Sequence, residues 1–241
     1  MSAAGLTSKL RRARLRASGA AVERARKLLG IYLDTADQHR VPRDELLRSM
    51  ADGVPAVRIG GAELEAQAGD PEGIAARAAC RAGCAFCCIL AGEDGAVISQ
   101  AEARQLHAAL APLAGAASGR DWHPRACPAL DPETRTCRAY AARPMICRSY
   151  LSTDAEACEA VSKGLPAEGP GVLSAQSVYL ACLAFARALL GRDAVASYGL
   201  ARVAEGALAE ESAETSLAAA RHKPRVLEDE LKRLSGATPR R

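Results

Sequence analysis

CRAGCAFCC, residues 80–88, places four cysteines within nine residues of a chain that has nine in all. The reading of this stretch decides the fold. Thiols this close serve as disulfide partners, as a nucleophile with neighbours, or as metal ligands. Asp70-Pro71 just upstream is a helix-start signal, with Asp as N-cap and Pro at the first helical position. If the helix runs through the cysteines, Cys80, Cys84, Cys87 and Cys88 fall at about 0°, 40°, −20° and 80°, on one face. If Gly83 breaks it, the segment becomes a loop wrapped around an ion. Either path gathers the sulfurs. Ordinary packing explains a single buried Cys; it does not explain four on one face, which would be open to oxidation if left uncoordinated.

Composition narrows the choice. The chain has 241 residues, 49% hydrophobic, enough for a sizeable core. Aromatics are only 3%, and abundant Ala favours closely packed helices over sandwiches or barrels. No apolar run approaches the ~20 residues of a membrane helix, and the N-terminus lacks the continuous apolar core of a secretory signal. A cytoplasmic location follows as the expectation. There structural disulfides are rare, and nine is an odd count. Residues 1–30 hold eight Lys/Arg against Glu23, so the net charge of +4 belongs to this arm. A charge run of this kind reads first as a solvated or frayed helix. A nucleic-acid contact or an organellar transit peptide are the alternatives, and no other feature supports them, so neither nucleic acid nor membrane is an expected partner.

Outward from the cysteines, four zones emerge: 1–69, a basic helical region; 70–160, cysteine-rich; 161–173, a Gly/Pro-rich loop or linker ("SKGLPAEGPGVLS"); and 174–241, helical with a disordered tail "SGATPRR". Leu6, Leu10, Leu28, Leu29, Tyr32 and Leu33 recur at helical spacing, and Pro42 separates "VPRDELLRSM" as a second segment. Residues 51–69 read as mixed and Gly-containing. "SAQSVYLACLAFARALLG" has an apolar face and stops at Gly191. "DAVASYGLARVAEGALAEE" and "ETSLAAARHKPRVLEDELKRL" read as helices, the second interrupted by Pro224. Ser99 and Glu102 form an S-x-x-E capping box for the helix between the two cysteine-bearing halves, and "GAVIS" before it reads as a short extended piece. The fold expected is mostly α: a metal-organised lobe of short helices and loops, flanked by N- and C-terminal helices.

The second half of the constellation is Cys127, Cys137, Cys147 and Cys158, at intervals of 10, 10 and 11. Each has rigid punctuation nearby: Pro128, the Asp131-Pro132 turn, and Arg143-Pro144 opening a short helical turn that presents Cys147. Preorganised ligands are what a metal site needs. The order C-x3-C-x2-C-C, capped helix, C-P, then C-x2-Y-x2-R-P-x2-C-R resembles the YkgJ-type cysteine-cluster family, the zinc- or iron-chelating CxxxCxxCC domain. The matching residues are Cys80, Cys84, Cys87 and Cys88, Cys127-Pro128, Cys137 with Tyr140, Arg143-Pro144 and Cys147-Arg148, with Cys158 as a further downstream cysteine. The resemblance covers roughly residues 75–160. Where the family often carries Gly before the first cysteine of the C-x2-Y run, this chain has Thr136, so a differently shaped turn is expected.

Thiolates select Zn²⁺, Cu(I) or iron–sulfur clusters over Mg²⁺ or Ca²⁺. A structural zinc and a [4Fe–4S] cluster each take four ligands. The eight candidates Cys80, Cys84, Cys87, Cys88, Cys127, Cys137, Cys147 and Cys158 therefore allow two mononuclear sites, one polynuclear site, or one site with spare thiols. Arg81, Arg125, Arg138, Arg143 and Arg148 lie close enough in sequence to offset an anionic centre, or are simply surface residues. Phe86, Trp122, Tyr140 and Tyr150 would form an apolar shell or the core of a small lobe. Cys182 reads as core, His123 as a turn residue, and His39, His107 and His222 as residues of polar faces without a role.

No G-x-G-x-x-G, P-loop, H-E-x-x-H or G-x-S-x-G motif is present. C-x3-C-x2-C occurs in radical-SAM enzymes too, but the strand–helix alternation of a partial barrel does not follow it. Two functions stand open. One is a zinc or iron–sulfur protein with a structural, metal-handling or protein-partner role. The other is a redox or cluster-dependent modifying enzyme, which the resemblance implies through relatives similar to flagellin lysine N-methylases and through iron–sulfur oxidoreductase descriptions of the family.

Overall fold

A computed structural model describes residues 3–90, 94–168 and 170–236. The fold is mostly α, as expected. Four helices lead: α1 (Ala3–Arg12), α2 (Ala20–Gln38), α3 (Arg43–Asp52) and α4 (Val54–Ala68). The middle of the chain adds β1 (Val97–Ser99), α5 (Gln100–Leu110), α6 (Met145–Ser149), β2 (Tyr150–Ser152), α7 (Ala155–Ser162) and β3 (Pro170–Val172). Then come α8 (Ser174–Leu190), β4 (Ser197–Gly199), α9 (Leu200–Leu208), α10 (Ala213–Ala220) and α11 (Arg225–Gly236). Residues 237–241, most of the tail expected to be disordered, lie outside the described residues.

The organising element is α8. Its neighbours α1, α2, α3, α4, α6 and α11 enclose it, and Tyr179, Leu180, Ala181, Leu183 and Phe185 are fully buried. A helix apolar nearly all round belongs at the centre of a bundle. On α2, Val22, Ala25, Leu29, Leu33 and Ala36 form one buried stripe at 3.6-residue spacing. The basic arm is docked: Leu6 and Leu10 of α1 are buried, Arg26 donates to the carbonyls of Leu10 and Ala13 at 2.7 and 2.9 Å, and Lys9 donates to Leu189 O. Cys182 is buried in this core, as expected.

Residues 51–69, read as mixed, are helical. The glycine pair in α4 serves close approach: a Cβ on Gly60 would stand 2.8 Å from Tyr179 Cβ and 3.1 Å from Met145 Cε. "DAVASYGL", read as helix, holds β4, which pairs antiparallel with β1 in the register Val97↔Gly199, Ser99↔Ser197. Buried Arg187 of α8 braces β4, donating to Val195 O at 2.7 Å and Ser197 Oγ at 3.0 Å, and reaches Pro224 O. Burial lowers its pKa to about 10, which still leaves it protonated at neutral pH. Of the histidines read as polar-face residues, His107 is buried and His222 is half-buried with its ring nitrogens enclosed. His107 pairs with Glu211 O at 3.0 Å. His222 lies 3.4 Å from Asp94 Oδ2 without a well-formed hydrogen bond, and burial pushes its pKa down.

A second apolar cluster joins α5, α9 and α10 through Ile98, Leu106, Leu110, Val203 and Leu217. The cysteine-rich segments lean on this cluster. Its members include Cys127, with Cys88, Cys137 and Cys147 packed against it.

Candidate metal centre

The Asp70-Pro71 signal produces a turn, with Asp70 Oδ1 accepting from Glu72 N at 3.0 Å, then a single 3-10 turn at Ile74–Arg77. No α-helix runs through the cysteines. Gly83 takes φ +77°, a left-handed conformation that glycine adopts without steric cost, and the chain turns there. Ala79 N donates to Ser152 O of β2 at 2.8 Å, which fixes the entry to the loop beside α7. Phe86–Cys88 forms another 3-10 turn. The loop alternative is the one adopted.

Backbone bonds between distant segments set the neighbours of each thiol. Cys127 N donates to Cys88 O at 2.8 Å, and Leu90 N donates to Arg125 O at 2.8 Å. These bonds, with the bridge Ile89↔Ala126, lay the first cysteine segment against the second. Gly119 closes over this crossing: a Cβ there would sit 2.2 Å from Cys127 O. The chain then doubles back. Leu130 bridges Cys137, Asp131 N donates to Thr136 O at 2.9 Å, and Asp131 Oδ1 accepts from Thr134 N and Glu133 N at 2.8 and 3.1 Å. Arg138 secures the turn through Asp131 Oδ2 at 3.1 Å and Ala117 O. The differently shaped turn expected at Thr136 takes this form: Arg135, with φ +55°, carries the left-handed position.

Cys147 rides on α6, whose start is held by a group that the sequence suggested only as a cap. Glu102 completes the capping box of α5, with Ser99 Oγ donating to Oε2 at 2.8 Å, and its Oε1 accepts from Met145 N at 2.7 Å. Tyr179 of α8 also donates to Oε2. One buried carboxyl thus ties the Cys147 helix to the central bundle. Nothing local to "RPMIC" signals this; the capping-box Glu being followed by a buried apolar run was the only hint. Cys158 rides on α7, whose N-terminus is capped by Asp154 Oδ1 accepting from Glu156 N and Ala157 N at 2.8 and 3.1 Å.

The eight candidate thiols fall into two neighbourhoods. Cys88, Cys127, Cys137 and Cys147 share the apolar cluster. Cys80, Cys84 and Cys158 lie on the β2/α7 side, where Cys80 Sγ is 3.8 Å from Ser152 O and α7 packs on the Phe86–Cys88 turn. Cys87, in that turn, adds its field to both: a charge on it opposes ionisation of Cys127 and Cys147, and of Cys158 and Tyr150. Cys182 is remote in the bundle core and joins neither group.

Burial pushes the Cys127 thiol up to about 12 and Cys147 well above its ordinary value, and neighbouring thiols add to the rise. Cys87 moves the other way, to about 7: Cys88 hydrogen-bonds to it, and the Arg143 guanidinium helps. Of the five arginines near the cysteines, Arg143 is the one whose charge favours thiolates at Cys87, Cys137 and Cys147. Arg125 instead donates to Ser162 O and Arg138 to the Asp131 turn. The aromatic shell is only partly formed. Tyr140 is 65% exposed and stacks on Arg143 at 3.6 Å, while Phe86, Trp122 and Tyr150 are half-buried. His123 accepts from Arg125 N through Nδ1, as a turn residue does.

All nine cysteines are free thiols. Among the described residues no set of three or more Cys, His, Asp or Glu donors is drawn close enough to hold an ion as it stands. The donor chemistry fits a soft cation: buried thiols that resist ionisation through burial and mutual repulsion gain from a positive ion what a single Arg143 does not supply.

Residues 79–164 match the CxxCxxCC family model, described as "Putative zinc- or iron-chelating domain". The match covers this cysteine-rich segment, which is similar to that family, and α1–α4 and α8–α11 lie outside it. No curated protein and no solved structure matches the chain. Among the described residues no helix is long and apolar enough to cross a membrane.

Proposed function

We propose that the chain binds zinc or iron at two four-thiolate sites. The first takes Cys88, Cys127, Cys137 and Cys147; the second takes Cys80, Cys84, Cys87 and Cys158. The observation that carries this reading is the division of eight thiols into two neighbourhoods, with Cys87 facing both. Four is the number that a tetrahedral Zn²⁺ or a cubane cluster requires. The bound ions would draw thiolate charge together and fold the lobe around themselves, since metal binding and folding are linked in such sites. The free state of all nine thiols suits a reducing cytoplasm. The role that fits is structural or metal-handling, with the metal-ordered lobe available to a protein partner. The buried character of the first group also suits an iron–sulfur centre, which would shift the role toward electron transfer or cluster-dependent modification.

Elemental analysis and an absorption spectrum on anaerobically purified protein test this. Two metal ions per chain are expected, with Cys147→Ser and Cys158→Ser each removing one and Cys182→Ser removing none. About four irons with labile sulfide, lost together in either variant, would replace the two-site division by a single cluster. Equal metal in all three variants would overturn the ligand assignment altogether.

A further inference from the structure

A cavity of about 300 Å³ opens beside the cysteine loop, walled by Arg81, Cys84, Phe86, Arg135, Glu156 and Glu159. This is the lower end of the size range of small-molecule pockets. Glu159 is engaged by Lys163 at 2.7 Å in an exposed i,i+4 pair. Among the described residues, Arg81 and Glu156 make no side-chain hydrogen bond or ion pair, although both line the one cavity. Arg135 is held over the Trp122 ring, 5.8 Å from its centroid, and has no carboxylate partner among the described residues. It sits at φ +55°, a conformation costly for a side-chain-bearing residue. Two guanidiniums and the Glu156 carboxylate thus line one cavity with no ion pair among them. Phe86 offers the one aromatic surface between them.

We propose that this cavity binds a small zwitterionic amino acid. Its carboxylate lies on Arg81 and Arg135, matching the preference of guanidinium for planar carboxylates. Its ammonium lies on Glu156, and an unbranched apolar side chain lies along Phe86 toward Cys84. The inference does not rest on the two-site metal reading, because the charges that recognise the ligand are not thiols.

The test uses L-norleucine, which has no metal-binding side chain, titrated by calorimetry into the full-length protein as purified. N-acetylnorleucine and norleucine amide, each lacking one of the two charges, are titrated in parallel. Saturable binding near about 1 mM or tighter is expected for norleucine, with each analogue weaker by roughly tenfold or more, the scale of one lost ionic hydrogen bond. Glu156→Gln should bring norleucine and N-acetylnorleucine to the same affinity. Arg81→Gln and, on a separate turn, Arg135→Gln should each weaken norleucine. Metal content measured on the same samples separates loss of the pocket from loss of the thiol sites. Indifference to either charge, or no saturation by norleucine at about ten times that concentration, overturns the proposal.

Discussion

Glu102 ties α5, α6 and α8 together through one buried carboxyl. It is 4% exposed. Oε2 accepts from Ser99 N at 2.9 Å, from Ser99 Oγ at 2.8 Å and from Tyr179 Oη, and Oε1 accepts from Met145 N at 2.7 Å. Glu102→Gln keeps the volume and the Oε1 contact but replaces Oε2 by an amide donor. Ser99 N–H then faces it donor to donor and keeps only Tyr179 Oη, 2.9 Å away, whose own O–H in turn loses its carboxylate acceptor. One buried donor left poorly paired costs about 2 kcal/mol. In a chain of this size that lowers Tm by about 4–8 °C. Glu102→Ala orphans several donors and opens a cavity, so about 4 kcal/mol is expected. Tyr179→Phe removes a donor to Glu102 and one of the two acceptors of Ser99 N–H, at about 1–2 kcal/mol. The double variant Glu102→Gln/Tyr179→Phe should deviate from additivity by about 1 kcal/mol, since the two share one hydrogen bond. Urea unfolding followed by circular dichroism measures all four. In metal-free protein, Glu102→Ala should also speed Cys147 alkylation, because α6 loses its anchor. Stability within about 0.5 kcal/mol of the parent for Glu102→Ala, or strict additivity, would refute the network as the tie between α6 and the bundle.

Gly60→Ala should destabilise by about 1–3 kcal/mol through overpacking against Tyr179, whereas Gly61→Ala, whose Cβ meets nothing closer than Arg148 Nη1 at 3.9 Å, should stabilise by about 0.5–1 kcal/mol through helix propensity; the same sign at both positions in thermal unfolding counts against close α4–α8 contact as the reason for the pair. In metal-free protein at neutral pH, iodoacetamide followed by peptide mass spectrometry should find Cys87 labelled first, since its pKa of about 7 leaves about half of it thiolate. Cys127 and Cys147 should be slow, and equal labelling of Cys87 and Cys127 contradicts the two environments. The Asp131 carboxyl is held near 2, below its ordinary 3.8, chiefly by the Thr134 N–H and the Arg138 guanidinium. A depressed folded pKa contributes stability fully present above 3.8 and lost as pH falls through about 2, so NMR titration should give a midpoint near 2, and one near 3.8 would mean that the turn before Cys137 is open. Metal removal by a chelator should raise amide exchange across residues 79–90 and 119–147 while α8, which belongs to a different apolar cluster, stays protected. Uniform loss of protection would make the bundle and the lobe one cooperative unit.

How much of this was readable beforehand follows from the range of the forces involved. The helices α2 and α8 were legible because burial on one stripe is a local pattern, and the Ser99/Glu102 box because a cap spans only four residues. The helical reading failed at β4 because Ser197-Tyr198-Gly199 is too short to alternate; its strand character comes from β1, a hundred residues earlier, and from the Arg187 brace. At α4 the glycine pair suggested irregular chain, whereas Gly60 is there for Tyr179, 119 positions away in sequence. His107 and His222 were placed on polar faces because their partners, Glu211 O and Asp94, are equally distant.

The cysteine cluster shows the same boundary more sharply. Which residues are candidate ligands was legible, since thiols at such spacing have few other uses. Which thiols are neighbours was not. The helical wheel put Cys80, Cys84, Cys87 and Cys88 on one face, a single group. Gly83 breaks that wheel, and three backbone ties then redistribute the four. Ala79 N to Ser152 O sends Cys80 and Cys84 toward α7 and Cys158; Cys127 N to Cys88 O, with the Leu130–Cys137 bridge, sends Cys88 toward the second segment. Cys87 remains at the junction, its sulfur influencing both sides. The adjacency Cys87-Cys88 therefore has a structural reading: on a 3-10 turn, consecutive side chains point about 120° apart, so one dipeptide serves two neighbourhoods. An inserted residue between Cys87 and Cys88 would rotate one of them away from its group, and the metal count of that variant, one ion lost and one retained, distinguishes a junction from a single shared site.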